Sequence, residues 1–173
     1  MALKNEVNFN LKNKVILVTG SSRGIGLSIS HTLREEGSIV CQNSRNCKNT
    51  KNSIRADVTE ENECQTLIDE VIKQHGRLDA LVCNVGEGSS IAPGFEKKAD
   101  WESTFNKNLF SATTLVEMAL PHLKKVGGSI VCITSACGSE YFQGAPFALM
   151  RFHLEIFYLK VLFGRPINVN ALS

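Results

Sequence analysis

Short, continuously apolar, β-branched runs recur along this chain with helical patterns between them. That alternation restricts the fold more than any other feature. KVILVT (14–19) is apolar at nearly every position, as a strand buried on both faces must be. SIVCQ (38–42), SIRADV (53–58), ALVCNV (80–85), SIVCIT (129–134) and INVNAL (167–172) supply five more strands. Helical patterns lie between them. One runs from Ile25 to Glu36, with Ile25, Ile29 and Leu33 at spacing four and Gly37 as its stop. A second is capped by Thr59, striped by Leu67, Ile68, Val71 and Ile72, and ended by Gly76. A third, capped by Asp100, covers Trp101 to Lys125, with Pro121 as a kink or break near its end. Strands alternating with helices give right-handed crossovers and a parallel sheet covered on both faces. The expected class is α/β, a doubly wound parallel sheet in one domain over residues 1–173. Such sheets take ligands at the carboxyl ends of their strands.

Composition removes several function classes. The formal charge is +2, and no basic block stands out, so no nucleic-acid partner is expected. No apolar run approaches the ~20 residues of a membrane helix, and the amino-terminal stretch lacks a signal-like apolar core. A cytoplasmic location without membrane attachment is the expectation. Cysteines 41, 47, 64, 83, 132 and 137 form no C-x-x-C pair, and several fall in strand-like runs, where they read as reduced core thiols. The histidines at 31, 75, 122 and 153 show no ligand spacing, so no metal site is expected.

The segment Thr19-Gly20-Ser21-Ser22-Arg23-Gly24-Ile25-Gly26 joins the first strand to the first helix. Gly20 permits a tight turn with positive φ. Gly24 lets the backbone approach a phosphate without a Cβ in the way, and Gly26 lets the helix pack close to the strand. The helix start then offers unpaired N–H groups and partial positive charge to a diphosphate. The alternative is a purely structural turn. A P-loop is excluded, because no Gly-Lys-Ser/Thr follows. Candidate cofactor-binding residues here are Thr19, Gly20, Ser22, Arg23, Gly24, Ile25 and Gly26.

An NAD site usually carries an acid at the end of the second strand for the ribose hydroxyls. Here that place reads Asn43-Ser44-Arg45. Arg45 and Arg23 together would clamp a 2′-phosphate through their planar donor forks, so NADP(H) is preferred over NAD(H). The alternative is that both arginines are solvated surface charges.

With these residues in place, the chain resembles the short-chain dehydrogenase/reductase family, whose fold is Rossmann-type. TGSSRGIG resembles the family's TGxxxGxG turn, and Asp57-Val58 its adenine-contacting pair. Cys83-Asn84-Val85-Gly86 resembles NNAG, with Asn84 and Gly86 kept. Trp101 and Asn108 resemble W-x6-N, whose Asn is catalytic in the family, and GSIVCITS resembles the strand that ends in the catalytic serine, here Ser135. INVNA resembles the IRVNA strand. The resemblance implies hydride transfer between a nicotinamide and a small carbonyl or secondary alcohol. Ser135 would bond the substrate oxygen and Asn108 would hold a relay water. A tyrosine would move the proton, beside a lysine one helical turn on. A homo-oligomer built on the 101–125 helix is also implied.

The chain departs from that pattern in one segment. Counting on from Ser135, the tyrosine should fall where Ala148 and Leu149 stand, and the lysine where Phe152 and His153 stand. Tyr141 comes too early, and Tyr158 and Lys160 point to different helix faces. His153 lacks a phenol partner. The family's chain also runs past the position of Ser173, through a substrate loop and a last strand, so a C-terminally incomplete fold is expected. Compensating frameshifts or a deletion with scrambling over 149–163 would leave this signature; the other reading frames of the coding DNA would then show Tyr-x-x-x-Lys. A cofactor-binding pseudo-enzyme or truncated gene product is the alternative to an active oxidoreductase.

Overall fold

The computed structural model describes residues 9–87, 95, 97–135 and the backbone of 168–172. Six parallel strands form one sheet: β1 (Val15–Val18), β2 (Ile39–Ser44), β3 (Ser53–Arg55), β4 (Ala80–Cys83), β5 (Ser129–Ile133) and β6 (Asn168–Leu172). Their order is β3-β2-β1-β4-β5-β6, so the direction of winding reverses between β1 and β4. That reversal opens a crevice at the carboxyl ends of these two strands. All four residues of β1 are buried, as its unbroken apolar run requires.

Helices cover both faces. On one face, α2 (Glu61–His75) and α4 (Ser111–Val126) pack on the sheet. Leu67, Ile68 and Val71 meet Leu115, Ala119, Leu123 and the strand residues Leu17, Leu81 and Ile130 in the larger core. On the other face, Ile16, Val18, Val40 and Val82 pack under Ile29 and Leu33 of α1 (Gly24–Glu35). Fully burying such aliphatic side chains stabilises the fold by about 1.5–3 kcal/mol each.

Several boundaries differ from the sequence expectation, for local reasons. Thr59 does not cap α2: its hydroxyl and N–H both bond to Asp57 Oδ1, at 2.8 and 3.0 Å, and Glu60 takes the cap position. The third helical stretch begins earlier, as α3 (Lys98–Phe105). Asp100 there lies one turn inside the helix and accepts from the Lys97 N–H at 2.8 Å. The break in the stretch is not at Pro121, which α4 passes through. It is a π turn at Asn106–Phe110, flanked by the stacked rings of Phe105 and Phe110. Ile25 is not part of the buried stripe of α1; it is 64% exposed.

Candidate functional site

A cavity of about 580 Å³ lies along the carboxyl edge of the sheet, reaching from the end of β3 to the end of β5. Ten of the twelve candidate cofactor residues line it: Gly20, Ser22, Arg23, Gly24 and Ile25 from the glycine turn, then Arg45, Asp57, Val58, Asn84 and Gly86. The exposure of Ile25 is thereby explained, because its side chain belongs to the cavity mouth.

The other two, Thr19 and Gly26, hold the turn in shape. The Thr19 hydroxyl donates to the Val82 carbonyl at 3.3 Å and accepts from the Asn84 N–H at 3.0 Å, tying the ends of β1 and β4 together. Gly26 has no room for a side chain. A Cβ there would stand 2.5 Å from Asn84 Nδ2 and 2.6 Å from the Gly20 carbonyl oxygen. Gly24 is different: its Cβ would meet nothing within 4 Å, and its φ of +56° is what requires glycine.

Sequence reading missed three supports of the same wall. Ser21 is buried; its hydroxyl donates to the Val18 carbonyl at 2.8 Å and accepts from the Asn43 N–H at 2.9 Å. Asn43 lies at the cavity floor and donates from Nδ2 to the carbonyls of Ile54 and Ala56, at 3.2 and 3.1 Å. Glu87 and Lys107 form an ion pair in the lining. A serine and an asparagine at strand ends carry no spacing signal, and a charge pair twenty residues apart carries none either.

The wall suits an anion. Arg23 occupies the N-cap of α1 in an extended conformation, and no side chain caps this helix start. The Ser44 hydroxyl is buried in the lining and meets no nitrogen or oxygen partner among the described residues; only the Cys47 thiol is beside it. A buried hydroxyl whose neighbour is a thiol, a weak hydrogen-bonding group, gains from a ligand that completes it. Arg45 pairs with Asp57 at 3.7 Å, yet its side chain is 66% exposed and remains able to turn to a second partner. These features fit the phosphates of an anionic ligand.

Asn108 is in the π turn and buried. Its Oδ1 accepts from the Glu87 N–H at 2.7 Å, and its Nδ2 donates to the Glu87 carbonyl at 3.0 Å. The amide is thus a brace for the loop after β4. Ser135 is half-buried two residues past the end of β5 and is not part of the cavity lining. Ala148, Leu149, Phe152 and His153, with Tyr141, Tyr158 and Lys160, lie outside the described residues. Two buried strand thiols are held in the protonated form: burial raises Cys41 to about 11, and Cys83 is pushed well above its ordinary value by a hydrogen bond with Cys132 and by burial. None of the described cysteines is bridged, and the described residues hold no metal-binding cluster.

The short chain dehydrogenase profile matches residues 14–147. The chain belongs to that family. An uncharacterized oxidoreductase of Saccharomyces cerevisiae is 34% identical over 143 residues, covering 75% of this chain and 56% of its own. An L-fucose dehydrogenase of Oryctolagus cuniculus is 32% identical over 146 residues, covering 78% and 51%. The chain therefore spans about half the length of the curated family members it matches. Among solved structures of the fold, a ligand-free aldohexose dehydrogenase of Thermoplasma acidophilum superposes with a TM-score of 0.86 at 27% identity, over 94% of this chain and 66% of that one. An NADH-dependent reductase solved with NAD gives a TM-score of 0.86 at 23% identity, over 94% and 78%, and shares the fold. No described helix is long and apolar enough to cross a membrane.

Proposed function

We propose that this chain is the nucleotide-binding part of an oxidoreductase that uses a nicotinamide dinucleotide, NADP(H) in preference to NAD(H), on a small carbonyl or secondary alcohol. The observation that carries the reading is the uncapped start of α1, opening with Arg23 and Gly24 into the cavity at the point where the sheet reverses. Its free N–H groups and partial positive charge would hold the diphosphate. Ser44, Arg45 and Arg23 would take the 2′-phosphate, with Asp57 and Val58 beside the adenine. Asn84 and Gly86 shape the loop after β4. Thr19 and Gly26 keep the turn close to that loop.

When bound, the cofactor supplies or accepts the hydride exchanged with the substrate carbon. Ser135 would hydrogen-bond the substrate oxygen, and Asn108 would brace the β4 loop while its remaining hydrogen-bonding capacity holds a relay water. The positions of the family's proton-transferring tyrosine and its lysine hold Ala148 or Leu149 and Phe152 or His153. Acid–base groups of this kind contribute roughly 10²–10⁴ in rate, so turnover is expected to be slow relative to relatives that keep the pair. One NAD(P)-binding domain, a cytosolic location and a homo-oligomer built on the 98–126 helical stretch complete the reading.

Fluorescence titration of NADPH and NADH tests it. NADPH should bind more tightly, and Arg45→Ala should weaken NADPH about tenfold while leaving NADH unchanged. A carbonyl panel, begun with aldoses because two relatives are named for them, then measures turnover. Folded protein that ignores both coenzymes at millimolar concentration refutes the reading. Binding without turnover leaves the nucleotide site and removes the oxidoreductase.

A further inference from the structure

We propose that the stacked rings of Phe105 and Phe110 are positioning residues: they hold the π turn open, and the turn sets Asn108 against the loop that walls the cavity after β4. The value of that wall to a coenzyme rests on the function proposed above; the positioning itself is a property of the chain without ligand.

The stack and the wide turn imply one another. Phe105 and Phe110 are five residues apart. In an α-helix that spacing sets two side chains about 140° apart around the axis, on faces that do not meet. A wider turn brings the fifth residue back over the first. Here the ring centroids are 6.2 Å apart with their planes at 26°. That separation lies inside the ~4.5–7 Å of favourable aromatic pairs. The Ser111 N–H accordingly reaches back five residues to the Asn106 carbonyl. The Ser111 hydroxyl donates at 2.7 Å to the Lys107 carbonyl, the acceptor that its own N–H would take in an α-turn.

The two sides of the turn are anchored unequally. On the carboxyl side, α4 buries Ala112, Leu115, Val116, Ala119 and Leu123, which fixes its rotation against the sheet. On the amino side, α3 buries no residue. Closing the turn to α geometry would therefore rotate α3 and the start of the turn rather than α4, by about 100° for one residue of register. Asn108 lies in that turn, 2% exposed, with the Glu87 N–H at 2.7 Å and the Glu87 carbonyl at 3.0 Å. A rotation of that size breaks both bonds and frees the loop. Phe110 is 52% exposed, so its ring contributes little to the core, and its stacking on Phe105 is what its size serves. π turns in α-helices occur often at functional sites.

Amide hydrogen exchange, read residue by residue on the ligand-free chain, tests the positioning. Phe110→Ala should speed exchange at the Glu87 N–H about tenfold beyond any change at the Leu17 N–H of β1, which reports global opening. Phe110→Leu, apolar but without a flat ring, should behave like the alanine variant. Phe110→Tyr should keep the wild-type protection. Phe105→Leu repeats the measurement from the other ring and decides the matter if the Phe110 variants fail to fold. NADPH affinity should fall about tenfold with the loss of Glu87 protection and return with Phe110→Tyr. Unchanged protection of Glu87 in the alanine and leucine variants, or equal acceleration at Glu87 and Leu17, overturns the positioning. NADPH affinity that stays at the wild-type value once Glu87 is freed overturns the part of the turn in the site. Wild-type protein that ignores both coenzymes, with the exchange pattern as expected, overturns the function proposed above and leaves the stack's hold on Asn108 standing.

Discussion

The two edges of the sheet are fastened by different chemistry. At the amino edge a single buried carboxylate gathers the contacts. Asp79 accepts from the Val15 N–H at 3.0 Å, from Arg77 Nε at 2.8 Å and Nη2 at 2.5 Å, and from Lys14 Nζ at 3.2 Å. At the carboxyl edge three neutral amides do the equivalent work. Asn43 ties β2 to the segment after β3, Asn84 donates to the carbonyls of Thr19 and Gly20 at 3.0 and 3.2 Å, and Asn108 clips the backbone of Glu87. An amide satisfies backbone donors and acceptors without adding a fixed charge to the wall. That matters only where an anionic ligand must approach. The buried carboxylate clasp stands at the edge away from the cavity, while the ion pairs of the cavity edge, Arg45–Asp57 and Lys107–Glu87, are part-exposed.

The largest expected effect breaks the amino edge alone. Asp79→Ala removes the partner of two cations and leaves the Val15 N–H unsatisfied. The carboxyl is 6% exposed but its cationic partners are 42–44% exposed, so a destabilisation of about 3 kcal/mol is expected rather than the full value of a buried pair. Urea denaturation measures it. Below the new melting point the affinity for NADPH should not change. If it does, the two edges are not independent and the comparison fails.

A somewhat smaller effect marks the carboxyl edge. Gly26→Ala drives a Cβ into Asn84 Nδ2 and the Gly20 carbonyl, so the backbone of the turn must shift. Overpacking of this kind costs about 1–3 kcal/mol. Unlike the Asp79 variant, this one should lose stability and nucleotide affinity together, because the displaced atoms belong to the cavity wall. Isothermal titration beside a thermal melt separates the cases. Loss of stability with intact affinity would show that the turn's shape is not what binds.

Much of this contrast was legible in the chain, for reasons that differ by residue. The β-branched runs disclosed all six strands, most plainly β1, where burial on both faces leaves an unbroken apolar pattern. The glycine turn was legible because three glycines with distinct backbone demands sit at fixed spacing. Ile25 misled: its place in a spacing-four row suggested the core, while the first turn of α1 faces the cavity. Thr59 misled too, since Asp57 two residues earlier competes for its hydroxyl. The Asn108 brace and the Ser21 strut depend on contacts to Glu87 and Asn43, distant in sequence, and no local pattern encodes those. Asp79 stood in plain view between strand signals, but its role requires knowing that β1 starts beside it.

The finest distinction between the edges is in their response to acid. Burial alone raises the pKa of Asp79, but hydrogen bonds from Arg77, the Val15 amide and Lys14, with the Arg77 charge, outweigh it and hold the group below the ordinary carboxylate value. A carboxyl whose folded-state pKa is depressed stabilises the fold at pH above its unfolded value of about 3.9, and that contribution is lost as pH falls through the folded-state value. The amides at the other edge do not titrate. Stability measured by urea denaturation between neutral pH and the acid range should therefore decline below about pH 4 partly through Asp79. The Asp79→Asn variant, already weaker at neutral pH, should show a shallower decline across the window. Asn43→Ala should lower stability by the same amount at every pH, since an amide lost at the carboxyl edge has no proton to exchange. Parallel curves for wild type and Asp79→Asn would mean that the clasp is not ionic in the folded chain, and the contrast between the edges would reduce to geometry.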